Sequence, residues 1–241
     1  MTTEPPTTGP AQAGGPGEPG GLGGRLARVR EGVADAAAEA GRSAEEITTI
    51  VVTKFHPASL VAELAALGVG DVGENRHQEA QAKAAELGPS WPDLRWHFVG
   101  QLQSKKARQV RAYASAIHSV DRAALVDALR SDEASVDAFV QVNLTDDPGR
   151  GGVAPGELDA LVERVLATPG LRLRGLMAVA PLGVPARPEF ARVRELSERV
   201  RRLAPDAGAL SMGMSHDYRD AILEGATHLR IGTAITGNRP A

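Results

Sequence analysis

The sequence predicts a single α/β domain, a (β/α)8 barrel of the TIM type with an extra N-terminal helix. Three observations carry that prediction. From Thr48 onward, eight strand-like apolar runs are separated by helical patterns. The connections are short, and no linker of distinct composition interrupts the series. The eight strands fit within 48–235, a span that a doubly wound open sheet, the alternative architecture, seldom fills with so many.

Residues 1–24 are mainly Gly, Pro, Thr and small polar residues. With almost nothing to bury, this stretch is expected to be a disordered tail ahead of a barrel domain over 25–241. Leu26, Val29 and Val33 recur at helical spacing in a helix over 25–40, with Gly41 behind it as a C-cap. Ser43 followed by Glu46 has the spacing of a capping box. Strands are expected at 48–54, 71–74, 95–100, 116–120, 138–144, 171–180, 209–214 and 228–235. The intervening helices are expected at 58–67, 75–87, 104–113, 122–130, 156–167, 188–203 and 217–224, with Asn75 and Asp121 as caps of the second and fourth.

Composition narrows the function. A chain of 241 residues with 42% hydrophobic residues can bury a substantial core. The net charge of −3 provides no field to draw in nucleic acid, and aromatics at 3% provide no stacking platform for single strands. There is no cysteine, which excludes disulfides, thiolate nucleophiles and cysteine metal sites. No apolar run reaches the roughly 20 residues that span a bilayer, and no secretory signal pattern is present, so a cytoplasmic protein is expected. Six histidines (His56, His77, His97, His118, His216, His228) show no metal-ligand spacing and read as hydrogen-bonded structural residues; no metal site is expected. The basic run Ser104–Arg108 and the Arg-rich helix over 188–203 read as solvated faces.

In a parallel barrel the carboxyl ends of the strands share one rim, where chemistry gathers. On that rim the run Thr48–Val52 leads to Lys54, just before Pro57. A lysine there either snorkels into water or is desolvated enough to become the neutral amine that a Schiff base requires. The other three lysines, Lys83, Lys105 and Lys106, fall in polar helical stretches. Further rim candidates are Glu74, Asn75, 97–103, Ser119, Asn143, Met177, 211–215 and 230–233. Ser211-Met212-Gly213-Met214-Ser215 runs off strand seven, and Arg230-Ile231-Gly232-Thr233 closes strand eight. The ends of strands seven and eight are the habitual phosphate site of such barrels, although a serine N-cap and a packing glycine account for either element alone. Gly149-Arg150-Gly151-Gly152 reads as a loop on the same rim.

Several motifs in this order are specific: Val52-Thr53-Lys54, Gly73-Glu74-Asn75, 96–103, Gly175-Leu176-Met177, 210–215 and 230–235. Together they resemble the pyridoxal 5′-phosphate (PLP) homeostasis protein family, relatives of the N-terminal barrel of alanine racemase, over about 26–238. The resemblance implies that Lys54 carries PLP as a Schiff base and that Ser215, Gly232 and Thr233 hold its phosphate. It further implies that Arg230 faces the pyridine nitrogen, that Asn75 lies near the ring, and that Met212 and Met214 line the pocket. The chain departs from the family pattern at Thr53, His56, Arg76, Lys105 and Thr236, where a serine, lysine, aromatic, asparagine and phenylalanine are usual.

Two functions follow as alternatives. One is a monomeric PLP-binding protein that buffers the cofactor or delivers it to PLP-requiring apo-enzymes, with little or no catalysis. The other is a PLP-dependent amino-acid racemase, which needs a base on each face of the substrate α-carbon. The alanine racemases resembled here supply a tyrosine from a separate domain. The tyrosines of this chain, Tyr113 and Tyr218, are expected in helices. An arginine facing the ring nitrogen keeps that nitrogen unprotonated and weakens its electron sink. The carrier reading is preferred.

Overall fold

A computed structural model describes residues 20–238, in which eight parallel strands close into a barrel in sequence order. The strands are β1 (Thr48–Val52), β2 (Asp71–Glu74), β3 (Arg95–Phe98), β4 (Ala116–Val120), β5 (Val136–Gln141), β6 (Leu171–Met177), β7 (Ala209–Ser211) and β8 (His228–Ile231). Around them lie α1 (Leu22–Glu39), α2 (Ala58–Ala66), α3 (His77–Leu87), α4 (Ala107–Arg111), α5 (Ala123–Ala128), α6 (Leu158–Leu166), α7 (Ala186–Leu203), α8 (Tyr218–Leu223) and α9 (Thr233–Thr236). Closure is made by β1 against β8, with Ile50 opposite Arg230.

Strand alternation divides the barrel into two environments. Val51, Val72, Trp96, Phe98, Ile117 and Leu210 point outward into the apolar layer beneath the helices. Inside, Ala116, Phe139 and Met177 form a small apolar cluster of their own. The rings of His97, His118, Phe139 and His228 meet across the interior, with His118 stacked on Phe139 at 4.3 Å between centroids. The lumen is thus polar to an extent that a hydrophobic count conceals.

Several boundaries differ from those expected. α1 begins at Leu22, and buried Leu22 anchors its first turn. The tail expected over 1–24 therefore ends earlier, and residues 1–19 lie outside the described residues. α1 packs on α8 and α9, and Arg25 Nε donates to the Ile235 carbonyl at 2.7 Å. β8 stops at Ile231 because Gly232 turns the backbone (φ −105°, ψ −98°), so the β-branched residues after it form α9 rather than more strand. β6 and β7 likewise end at Met177 and Ser211, short of the expected 180 and 214. β5 lies two residues earlier than expected at its start, and Val142 makes only an isolated bridge to Val153. Ser43 and Glu46 do form a capping box, on a short 3-10 turn. Asp121 caps nothing; its carboxylate accepts from Arg122 at 2.5 Å instead.

Candidate active site

The cavity at the carboxyl ends of β1, β2, β3, β6, β7 and β8 has a volume of about 350 Å³. That is within the usual range for small-ligand pockets. Lys54, Asn75, Gly100, Met177, Met214, Ser215, His216, Arg230, Gly232 and Thr233 are among its lining residues.

Lys54 reaches it because of how β1 ends. The Thr53 amide still donates to the Gly73 carbonyl, at 2.9 Å, but Phe55 takes a left-handed conformation (φ 68°). A bulky residue in that region is strained by about 1–3 kcal/mol and must be held there. Glu79 contributes by accepting from the Phe55 amide at 3.2 Å, and the Arg76 guanidinium lies 4.6 Å from the Phe55 ring centroid. Lys54 itself is exposed and lines the cavity.

Asn75 does not cap α3, whose N-cap residue is Arg76. Its Oδ1 is buried without a hydrogen-bond partner, while the residue lines the cavity. Gly100 fixes this neighbourhood: a Cβ there would lie 2.3 Å from the Asn75 carbonyl oxygen, so only glycine allows the β3 loop so close.

Across the cavity, Ser215 and Thr233 join the two loops expected to hold a phosphate. Thr233 Oγ1 donates to Ser215 Oγ at 3.4 Å, and the Ala234 amide donates to the same oxygen at 3.3 Å. Ser215 is therefore not an N-cap. Gly213 (φ 94°) makes the turn out of β7, where a Cβ would meet Ala221 at 2.6 Å. Met212 does not line the cavity. β7 alternation turns it outward into the apolar layer, fully buried, and Met214, beyond Gly213, takes the lining position.

Arg230 is buried on the cavity floor. Its guanidinium donates to the Ser211 carbonyl at 2.6 Å, to Ser211 Oγ at 2.7 Å and to the Ala178 carbonyl at 2.8 Å. Burial pushes its pKa down to about 10, and Asp217 pulls weakly the other way. No ion pair to Arg230 is formed among the described residues.

Other rim candidates lie elsewhere. Glu74 points outward, accepting from Thr53 Oγ1 at 2.7 Å and from Lys83 at 2.6 Å. Burial raises the Glu74 carboxyl above its ordinary value, against the lowering pull of those two bonds. Lys83 is thus a buried partner of Glu74 and not the solvated lysine that its polar helix suggested. The signal was present: Ala80, Lys83 and Leu87 form one buried stripe at spacings of three and four. His97 sits deep in the lumen rather than on the rim, bonded to Asp71. Gln101, Gln103 and Gly151–Gly152 border a separate cavity of about 430 Å³ beside Asp121 and Arg122. Val99, within the expected rim stretch, lines the lysine cavity, and His216 and Val179 line it without having been singled out for the rim. Their position just past a strand end was the available cue.

Residues 26–240 match the family described as alanine racemase, N-terminal domain. The chain belongs to that family. Within it, the chain is 42% identical over 238 residues to the pyridoxal phosphate homeostasis protein of Mycobacterium tuberculosis, covering 89% of this chain and 91% of that one. It is 39% identical over 231 residues to the Escherichia coli protein of the same name, covering 89% and 95%. At this identity the chain is a member of the pyridoxal phosphate homeostasis protein family as well. Among solved structures, PipY of Synechococcus elongatus with PLP bound superposes with a TM-score of 0.78 at 37% identity, covering 90% and 100%. Alanine racemase from Corynebacterium glutamicum shares the fold alone, with a TM-score of 0.66 at 14% identity over 90% of this chain and 62% of that one.

Proposed function

We propose that this protein binds pyridoxal 5′-phosphate covalently through Lys54 and serves its intracellular homeostasis, buffering the cofactor and passing it on. The observation that carries the reading is the convergence on one cavity of an exposed lysine, a hydroxyl pair on adjacent loops and a buried arginine with donors to spare. The likeness to proteins named for PLP homeostasis, and to PipY with PLP bound, supports it.

The residues fit the group. When bound, PLP supplies an aldehyde that condenses with an amine, and Lys54 Nζ is the amine on this rim. Ser215 Oγ, Thr233 Oγ1 and the Gly232 backbone form the phosphate side. Arg230 presents N–H groups, never a lone pair, to the ring nitrogen, and so holds the ring while leaving that nitrogen unprotonated. Asn75, Met177 and Met214 line the same cavity and would border the ring.

Racemisation is the competing activity. Besides Lys54 and Arg230, the titratable side chain lining the cavity is His216. Tyr113 does not line it. Its hydroxyl is buried without a partner, and its ring stacks on His77 at 6.0 Å. Tyr218 packs against Gly32 of α1. We therefore assign a carrier with little turnover, acting as a cytoplasmic monomer that serves apo-enzymes requiring PLP. The test is an absorbance titration of the protein with PLP, followed by incubation with L-amino acids and chiral chromatography. Wild type develops the covalent chromophore, Lys54→Ala does not, and no D-isomer exceeds the Lys54→Ala control. Turnover near the typical enzyme rate of about 10 s⁻¹ overturns the carrier assignment.

A further inference from the structure

Beneath Arg230 the barrel lumen contains a continuous run of hydrogen bonds that the cavity does not explain. Arg230 donates to Ser211 Oγ at 2.7 Å, and Ser211 Oγ lies 2.8 Å from His118 Nδ1. His118 Nε2 lies 2.9 Å from His97 Nδ1, and His97 Nε2 lies 2.8 Å from Asp71 Oδ1. Five side chains from β8, β7, β4, β3 and β2 thus form one file through the interior. Its ends are different places. Arg230 lines the lysine cavity, whereas Asp71 and Arg95, at the starts of β2 and β3, line a cavity of about 380 Å³ at the opposite end.

We propose that Ser211, His118, His97 and Asp71 are positioning residues for Arg230, a directional chain that supplies the counter-charge this buried cation lacks locally. The inference rests on Arg230 meeting the cofactor ring. Direction is assigned from the carboxylate end. A guanidinium only donates, and an ionised carboxylate only accepts. Starting at the carboxylate, with each ring donating at Nε2 and accepting at Nδ1, His97 Nε2–H donates to Asp71, His118 Nε2–H donates to His97 Nδ1, and the Ser211 hydroxyl donates to His118 Nδ1. The surroundings agree. Burial, followed by the neighbouring His97, Arg230 and His228, holds His118 well below its ordinary pKa. Burial would raise the Asp71 carboxyl, yet hydrogen bonds from His97 and Arg95 outweigh it and hold it lowered.

The function follows from charge. A buried cation without a counter-ion is costly, and polarised hydrogen bonds in series pass partial compensation along their length. The chain also orients the Ser211 hydroxyl, leaving its lone pairs to Arg230. The guanidinium is thereby held in one plane with its remaining N–H groups toward the cavity.

Two measurements test this. The first needs no cofactor: ¹⁵N NMR of the histidine ring nitrogens in wild type is expected to show Nε2-protonated neutral rings for His97 and His118. A proton on His118 Nδ1 reverses the chain and overturns the proposal. The second is a double-mutant cycle on the PLP-loaded protein. Asp71→Asn keeps the shape at the far end of the barrel but removes the charge. It is expected to weaken PLP binding about three- to tenfold and to shift the bound chromophore's absorption band, while combined with Arg230→Lys it adds nothing further. Additive losses overturn the coupling. Ser211→Ala provides the same cycle should Asp71→Asn fail to fold. A wild type that takes up no PLP fails the functional reading, while the NMR result still decides the direction of the chain.

Discussion

Lys83, on α3, and Arg230, on β8, are both buried cations, and they are compensated in opposite ways. On the β2 side, Lys83 meets Glu74 directly at 2.6 Å and spends another donor on the Thr53 carbonyl at 3.0 Å. On the β8 side, Arg230 meets only neutral oxygens and lines a cavity. The first is a closed structural device that ties α3 to the ends of β1 and β2. The second remains open to a ligand. Paired charge marks architecture here, and an unpaired buried cation marks the site.

The comparison breaks most readily at Glu74. Glu74→Gln leaves Lys83 buried beside a neutral group, and removing one partner of a buried pair costs about 3–5 kcal/mol. Urea unfolding is expected to show that loss; a change below about 1 kcal/mol would make the pair dispensable.

Acid exposes the lumen next. Burial, with a smaller push from His97, lowers the His228 pKa to about 4. A histidine whose folded pKa is depressed binds its proton more readily when unfolded. Stability is therefore full above pH 6.5 and falls as the pH drops from 6.5 toward 4. His228 alone accounts for a loss on the order of 3 kcal/mol by pH 4. His118 acts in the same direction. Denaturation midpoints measured across that window should fall with pH in wild type, and fall less in His228→Gln.

On the ligand side, Arg230→Lys cannot reach both the Ala178 and Ser211 oxygens. PLP affinity is expected to drop about tenfold, a loss near 1.4 kcal/mol, read by equilibrium dialysis. Ser215→Ala removes one hydroxyl from the phosphate side and should cost less, about three- to fivefold in the same assay. The smallest expected effect on stability is that of Lys54→Ala. The side chain is exposed, so unfolding in the absence of PLP should change by less than about 0.5 kcal/mol.

How much of this was legible in the sequence depends on the direction in which each residue points. The eight strands were readable because β-branched runs such as Thr48–Val52 and Ala116–Val120 satisfy two buried faces at once. Lys54 and the loops after β7 and β8 were readable because strand ends in such barrels share one rim. Strand ends themselves were misread wherever apolar character outlasted the ladder. Thr233-Ala234-Ile235-Thr236 has strand composition but lies beyond Gly232, where the backbone turns away. Met212 was misplaced for a related reason: one residue of alternation separates the apolar layer from the cavity, and Gly213 resets the count before Met214. The histidine file was not legible as a file. Its members lie 93 residues apart between His118 and Ser211, and only barrel closure brings β4 and β7 side chains together. Inward-facing positions for His97, His118 and His228 were inferable strand by strand; their mutual bonds were not.

The central claim is that Lys54, and not the buried Lys83, carries the cofactor. Borohydride reduction of the PLP-loaded protein followed by peptide mapping tests it most directly. The modification is expected on the peptide containing Lys54 and absent from Lys54→Ala. Modification of Lys83, Lys105 or Lys106 in its place would contradict the account.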